Sequence, residues 1–177
     1  MNNEMLPVVY LSGIVVFLTG LTIFILFQII KTRRIETRFS KLQDKLQKEQ
    51  GTAQDYYELG SLYLDKKLFV QAIKLLEKAL KASKKVEPQN QALIYNALGY
   101  AYFSQEQLDV AIRHYKDAIK LYPEYAIALN NLANAYEKKQ MINQAVETYE
   151  QTLKYEPNNK VAKARSEALR KRLVESK

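Results

Sequence analysis

The fold is decided by residues 96–159, which read NALGYAYFSQEQLDVAIRHYKDAIKLYPEYAIALNNLANAYEKKQMINQAVETYEQTLKYEPNN. Five residues of this stretch return 34 positions later: Leu98, Tyr102, Ala111, Tyr115 and Pro123 become Leu132, Tyr136, Ala145, Tyr149 and Pro157. Within each unit, the apolar residues follow helical spacing twice, on either side of a short polar turn. A unit of this length with two helices predicts a solenoid of stacked helical hairpins.

A further copy of the pattern lies upstream, with Leu59, Gly60 and Tyr63 located 39 residues before their counterparts. The first unit is therefore separated from the second by five additional residues, near Glu87–Gln91 and around Pro88. Lys84 stands where the first unit would have its proline, so we expect the second helix of that unit to continue to Pro88. The repeats span residues 53–86, 92–125 and 126–159.

The order of these residues resembles the tetratricopeptide repeat (TPR), in which an aromatic residue, Leu-Gly, Tyr, Ala, an aromatic residue, Ala and Pro are spread over 34 residues. This resemblance implies an all-α superhelix over residues 52–159, with the first helix of each unit lining a concave groove that binds a protein partner. Carried over position by position, the groove residues are Tyr57, Ser61, Leu64, Asn96, Tyr100, Phe103, Asn130, Asn134 and Glu137.

One TPR subclass binds the C-terminal carboxylate of chaperones through Lys and Arg on these same helices. The corresponding residues of this chain carry no positive charge: they are Tyr57, Ser61, Ala97, Ile127 and Asn131. We therefore expect no carboxylate clamp. Asparagine and tyrosine instead suit an extended or helical peptide, because the amide can both donate to and accept from a peptide backbone. The alternative is that these residues only keep the helices soluble.

Residues 8–30 form an uncharged run, VVYLSGIVVFLTGLTIFILFQII. As a helix it would extend about 35 Å, enough for a hydrocarbon core of about 30 Å. Residues 1–7 contain Glu4 and no Lys or Arg, unlike the basic start of a signal peptide, so we expect a retained single transmembrane helix. Lys31, Arg33, Arg34 and Arg38 follow it, which predicts that residues 31–177 lie on the cytoplasmic or stromal side and residues 1–7 are translocated.

Residues 31–51 form a basic amphipathic stalk, ended by Gly51. Its apolar seam is Ile35, Phe39, Leu42 and Leu46. The seam is compatible with packing against the following domain, with a short coiled coil, or with a helix lying on anionic lipid.

Residues 160–177 form a basic capping helix and tail. The residues expected to cover the open end of the array are Val161, Ala164, Ala168 and Leu169. The basic side chains Arg165, Arg170, Lys171 and Arg172 are expected to be solvated. Contact with anionic headgroups or an acidic partner is the alternative.

Composition excludes several functions. The net charge of +8 suggests a nucleic-acid binder, but residues 51–159 carry thirteen basic and thirteen acidic side chains, so no nucleic-acid surface is expected. The chain has no cysteine and one histidine, His114, which we expect at the surface. No catalytic residue, metal site, phosphate loop or cofactor is predicted.

Taken over its length, the chain resembles the membrane-anchored TPR proteins of cyanobacteria and algal plastids that assist photosystem I assembly or stability. This resemblance implies a thylakoid location, a stromal TPR domain, and photosystem I subunits or assembly intermediates as partners. Two other functions fit the same architecture: an anchored receptor that binds targeting peptides for import, and a scaffold of the bacterial inner membrane for envelope machinery. An import receptor would favour an apolar groove with acidic rims, which this sequence does not show beyond Glu137.

Overall fold

The computed structural model describes residues 5–83 and 86–175, and within those ranges helix is the regular secondary structure, with no strand. Its helices are α1 (Met5–Lys48), α2 (Ala53–Asp65), α3 (Phe69–Ala82), α4 (Pro88–Ser104), α5 (Leu108–Leu121), α6 (Ala126–Lys138), α7 (Ile142–Tyr155) and α8 (Lys160–Glu175). The predicted all-α class is confirmed. The chain divides into a unit that ends at Lys48 and a unit that begins at Glu49.

The first unit is the single helix α1. Its most apolar stretch of 18 residues has a mean hydropathy of 2.5 and none of it is buried, and no other helix of the described residues is long and apolar enough to cross a membrane. The hydroxyls of Thr19 and Thr22 donate to the carbonyls of Val15 and Leu18, each at 2.8 Å. Both hydroxyls are therefore satisfied within the helix itself. The helix continues without a break into the basic segment after residue 30.

The second unit is a row of helical hairpins, α2–α3, α4–α5 and α6–α7, with α8 packed on α7. Each hairpin turns in the same way, through one residue with positive φ: Lys67 (59°), Glu106 (62°) and Gln140 (62°). The next amide donates back to the first helix of its hairpin in every case, as Leu68 N to Tyr63 O, Gln107 N to Tyr102 O and Met141 N to Tyr136 O, at 2.9 to 3.0 Å. The sequence repeat is therefore also a repeat of backbone geometry.

Within the hairpins, small residues on one helix face large side chains on the other. Tyr115 and Tyr149 are each only 1% exposed and lie in the main core cluster with Ala111 and Ala145. A Cβ atom built on Gly99 would approach the Tyr115 ring to 2.5 Å. Gly99 is thus required by the distance between α4 and α5, since backbone and ring occupy the space a side chain would need.

The inserted residues before the second repeat lengthen its first helix. We expected the second helix of repeat one to continue to Pro88, and this is wrong: α3 ends at Ala82 and Pro88 is instead the first residue of α4. Proline suits that place because its fixed φ is helical and the first helical N–H needs no partner. The Gln91 side chain donates to the carbonyls of Ser83 and Val86, both at 2.9 Å, and holds the connection. Lys84 lies outside the described residues.

The terminal helix α8 covers the last hairpin with a different set of residues from the one predicted. Ala162, Ser166 and Leu169 are 0 to 5% exposed, and they follow helical spacing toward α7. Of the predicted cap residues only Leu169 is buried, whereas Val161 is 59% exposed and Ala164 and Ala168 are also exposed. The buried stripe differs from the predicted one because α8 buries the side that corresponds to the buried side of α2, α4 and α6. The exposed small residues of α8 stand at positions equivalent to those of the groove residues.

Candidate functional site

The candidate site is the row of side chains that α2, α4 and α6 present at corresponding positions, and we call it the groove. Its nine predicted members are Tyr57, Ser61, Leu64, Asn96, Tyr100, Phe103, Asn130, Asn134 and Glu137. Only Tyr100 and Asn134 are exposed, and the other seven are half-buried. The structure therefore divides the predicted set into side chains that are open to a ligand and side chains already engaged within the array.

Asn96 is the centre of a hydrogen-bonded group that links two repeats. Its side-chain oxygen accepts from the Asn131 amide at 3.0 Å, and its own amide donates to the Tyr125 hydroxyl at 3.4 Å. Burial, followed by the proximity of Tyr57, raises the pKa of Tyr125 to about 12, and the hydrogen bond from Asn96 opposes this rise. Asn96 thus connects α4 to α6 as well as facing the groove.

Asn131 and Tyr125 had not been predicted as members of this group. Asn131 follows Asn130 directly, and a bond from it to Asn96 joins residues that are 35 apart, one more than the repeat. The period indicates only that equivalent residues lie on neighbouring helices; the side-chain pairing needs the packed structure. The oxygen of Asn130 is buried without a hydrogen-bond partner among the described residues, so this amide does not present its acceptor to the groove.

The acidic end of the groove is neutralised from within. Glu137 accepts from Arg165 of α8 through both oxygens, at 2.7 and 3.2 Å, and the Tyr149 hydroxyl is 3.5 Å from it. The side chain of Glu137 is 18% exposed and that of Arg165 is 51% exposed. We expected Arg165 to be solvated; instead, this two-pronged bond ties α8 to α6.

The other cap arginine with a carboxylate partner is Arg170, which donates to Glu150 at 2.7 Å. Arg172 donates to the side-chain oxygen of Gln140 at 3.3 Å. Part of the predicted solvated basic face therefore serves to fasten α8 to the repeats.

Apolar groups supply the rest of the groove. Tyr57 and Leu64 pack partly into the core between α2 and α4, and Phe103 packs into the main core with the Lys138 ammonium 5.2 Å from its ring centre. Exposed apolar side chains lie beside them: Tyr100 is 46% exposed, Ile127 59% and Val161 59%. Ile127 and Val161 are 34 residues apart, so they repeat along α6 and α8. The open groove surface is therefore apolar and amide-bearing.

His114 is not at the surface as we expected. Its ring is half-buried and stacks on the Tyr102 ring, with centroids 5.3 Å apart and planes 17° apart, and Tyr95 lies 6.1 Å away. Burial, and then the charge of Arg113, lower the pKa of His114 below its usual value. A histidine that contacts two tyrosine rings in this way is a packing element. Among residues 10–83 and 86–174, no group of three His, Cys, Asp or Glu side chains could hold a metal ion.

The four predicted flank residues, Lys31, Arg33, Arg34 and Arg38, are all exposed on α1. Lys31, Arg34 and Arg38 are separated by three and four residues, so they share one side of the helix, and Arg33 lies on another side. Three of the four positive charges therefore lie on one side of the helix, at the end of its apolar run.

Comparison with known proteins agrees with the geometry. Two tetratricopeptide repeat families match the chain, one over residues 51–124 and one over residues 102–168. Among solved structures, the crystal structure of MamA superposes with a TM-score of 0.69 over 78% of each chain, at 24% identity. The fold and its groove thus define a TPR protein, a class that is typically non-catalytic and binds other proteins.

Curated relatives narrow the class. The ycf37 protein of Guillardia theta is 34% identical over 127 residues, which cover 72% of this chain and 71% of that protein. The tetratricopeptide repeat domain-containing protein PYG7 of Arabidopsis thaliana, described as chloroplastic, is 35% identical over 152 residues, 86% of this chain and 50% of that one. This chain belongs to the ycf37/PYG7 family of TPR proteins, which confirms the family predicted from its sequence.

Proposed function

We propose that this protein is a non-catalytic, membrane-anchored assembly factor that assists photosystem I assembly or stability at the stromal face of the thylakoid. The observation that carries the proposal is the match to PYG7, a chloroplastic TPR protein, over 86% of this chain. That span is longer than the repeats alone. In this proposal α1 crosses the bilayer at residues 8–30 and the groove holds a stroma-exposed subunit or assembly intermediate.

The chemistry of the groove supports a partner segment with little charge. Its open surface carries Tyr100, Ile127 and Asn134, and its carboxylate, Glu137, is already paired with Arg165. An acidic C-terminal peptide would find no lysine clamp, and an Arg-rich targeting peptide would have to compete with Arg165. Amides and aromatic rings suit an apolar or amide-rich segment. This arrangement favours assembly over targeting-peptide import as the function.

The test is a deletion strain complemented with groove variants. Deletion is expected to lower photosystem I accumulation, measured as photo-oxidisable reaction centre per chlorophyll. Tyr100→Ala with Asn134→Ala removes two exposed groove side chains without touching the core, and we expect it to reproduce much of the deletion phenotype. The matched control is Tyr155→Ala with Asn143→Ala, which removes the same exposed side chains from α7. Normal photosystem I in the deletion strain under several light regimes would contradict the proposal.

Affinity capture after gentle solubilisation distinguishes the alternatives. Photosystem I subunits or their assembly factors should come with the wild-type protein and with the α7 control variant, and should be depleted from the groove variant. Targeting-peptide-bearing precursors in their place would favour an import receptor, and envelope proteins would favour a bacterial scaffold. In either case, the TPR fold would stand and the photosynthetic role would be wrong.

A further inference from the structure

The outer surface of the first repeat differs in charge from the same surface of the other two. Between the turn and the end of the second helix, residues 66–83 carry five lysines and one glutamate, a net charge of +4. The equivalent residues 105–122 carry three basic and three acidic side chains, and residues 139–156 carry two lysines and three glutamates, so their net charges are 0 and −1. The neutral average of the repeat domain therefore conceals one basic repeat.

The lysines share one face of α3. Lys74, Lys78 and Lys81 follow Val70 at steps of four, four and three residues, which places all four on one side of the helix. The opposite side is the buried stripe of Ala72, Leu76 and Ala79. All four outward side chains are exposed, and they extend over about 16 Å of the helix.

Two apolar side chains stand at the turn where this face begins. Leu68 is 41% exposed and Val70 is 57% exposed, and Lys66 and Lys67 directly precede them. The turn is held by bonds from Lys67 N to Leu64 O at 2.8 Å and from Leu68 N to Tyr63 O at 2.9 Å. The two apolar groups are thus presented by an ordered turn and not by a loose loop.

In the second and third repeats, the charged side chains at the equivalent turn pair with each other. Glu106 pairs with Lys138 at 3.0 Å, and Asp109 pairs with Lys139, so the second and third turns neutralise one another. Val70 occupies in repeat one the position that Asp109 occupies in repeat two. An aliphatic side chain at this position cannot bind a lysine of the following turn. Packing does not explain the presence of valine either, because most of the Val70 surface is open.

From this contrast we propose that the outer surface of repeat one, formed by Leu68, Val70 and the five lysines of residues 66–83, is a peripheral contact with an anionic lipid bilayer. The inference rests on the membrane anchoring in the proposed function, which brings a bilayer to the same chain. Leu68 and Val70 enter the interface, and the lysines extend their charge to the lipid phosphates along flexible stems. All five basic residues are lysines, which suits a diffuse anionic surface better than the two-pronged recognition made by arginine.

Docking in this way would leave the groove open, because the contact uses α3 and the groove uses α2, α4 and α6. It would also restrict the orientation of the repeats over the membrane. A partner segment emerging from the bilayer would then meet the groove in a defined direction. The role of repeat one is thus orientation of the array, beyond the tethering that α1 supplies.

The experiment uses the full chain in proteoliposomes and exploits the absence of native cysteine. Val70→Cys reports on the proposed contact, and Asn143→Cys reports on the equivalent position of repeat three. A membrane-impermeant fluorescent maleimide labels only outward-facing copies, and a quencher carried on the lipid headgroups reports proximity to the bilayer. In phosphatidylglycerol-containing vesicles we expect strong quenching at position 70 and little at position 143. In pure phosphatidylcholine vesicles, or in about 1 M salt, quenching at position 70 should fall.

Charge variants in the labelled chain provide the second measurement. Lysines near an anionic surface each contribute about fivefold to membrane binding, so Lys67→Gln with Lys74→Gln and Lys78→Gln should lower the ratio of docked to free copies by about 100-fold. The matched control is Lys116→Gln with Lys120→Gln and Lys154→Gln, which removes the same charge from α5 and α7. Lys116 is a close match for Lys78, since each lies 5.7 Å from a tyrosine ring, those of Tyr136 and Tyr56 respectively.

Several results would overturn the proposal. Equal quenching at positions 70 and 143, equal quenching in neutral and anionic lipid, or equal effects of the two lysine variants would each do so. If position 70 is unquenched in anionic vesicles but becomes protected in membranes of the native host, the surface is covered by a protein and the lipid contact is wrong. Failure of anchoring is separately visible, because the chain would then wash off the vesicles at alkaline pH.

Discussion

Replacing Gly99 with alanine should weaken the central hairpin. The new methyl group would lie 2.5 to 3.0 Å from three carbons of the Tyr115 ring, and that ring is only 1% exposed and cannot swing away. Overpacking of this kind costs about 1–3 kcal/mol, and the better helix propensity of alanine returns about 1 kcal/mol. We therefore expect a net loss of about 1 kcal/mol, and at most about 2 kcal/mol, in the free energy of unfolding, with a fall of about 2–8 °C in Tm.

The matched control is Gly60→Ala, one repeat earlier. There the new methyl would meet the Cγ and Cδ2 atoms of Leu76 at 3.0 Å, farther than the 2.5 Å at which the methyl of Gly99→Ala would meet the Tyr115 ring, so a shift of a few tenths of an ångström relieves the contact. Its stability should change by less than about 0.5 kcal/mol. Thermal and urea unfolding of the full chain in mild detergent, followed by circular dichroism, compares the two variants. If Gly99→Ala is as stable as Gly60→Ala, the steric reasoning is refuted. The α4–α5 hairpin would then have opened slightly, to the geometry of repeat three, where Ala133 and Tyr149 occupy the equivalent positions.

Three further predictions concern charged and titratable groups. Arg165→Gln leaves the carboxylate of Glu137 without its arginine, so the free energy of unfolding should fall by about 1 kcal/mol. Adding Glu137→Gln should restore part of this loss. If the effects of the two substitutions simply add in urea titrations, the pairing is contradicted. Burial lowers the pKa of His114 in the folded protein, so the unfolded chain binds a proton first and stability should be lost as pH falls below about 6.5. His114→Gln should flatten this part of the stability profile, and an unchanged slope would exclude His114 as its source. Burial raises the pKa of Tyr125 to about 12, so its stabilising effect should be full below pH 10 and lost as pH rises from about 10 to about 12. Tyr125→Phe should remove one late-titrating phenol from the ultraviolet absorbance titration, and loss of an early one would show that Tyr125 is solvated.

Much of the fold was predictable because it depends on local periodicity. The 34-residue period predicted each hairpin, and apolar residues at helical spacing predicted which face of each repeat helix is buried, although the same reasoning chose the wrong face of α8. The apolar run of residues 8–30 likewise predicted one long, unburied apolar helix, because its length and absence of charge are properties of the sequence itself. Repetition also predicted the groove residues, since equivalent residues of stacked units lie on the same side of the array, and their role in binding stays a prediction.

The predictions that failed depended on contacts between elements. Lys84 and Pro88 were correctly recognised as a departure from the period, but the sequence could not show whether the extra residues belong to the helix before or after them. Only the packed connection, with Gln91 donating to two carbonyls, shows that α4 is the longer helix. His114 was placed at the surface because it adjoins Arg113 and lies away from the groove face, whereas its neighbours in space include Tyr95 and Tyr102.

The sequence by itself determined the architecture, a helical solenoid that follows from short-range spacing and repetition, and the resemblance of its motifs and overall organisation indicated the family. The tertiary structure alone decided which groove side chains remain open. Asn96 bonds to Asn131, and Glu137 bonds to Arg165 of α8, in pairs separated by 35 and 28 residues. Such pairs depend on how neighbouring hairpins and the terminal helix stack, and the direction and reach of individual side chains across those interfaces cannot be read from a period.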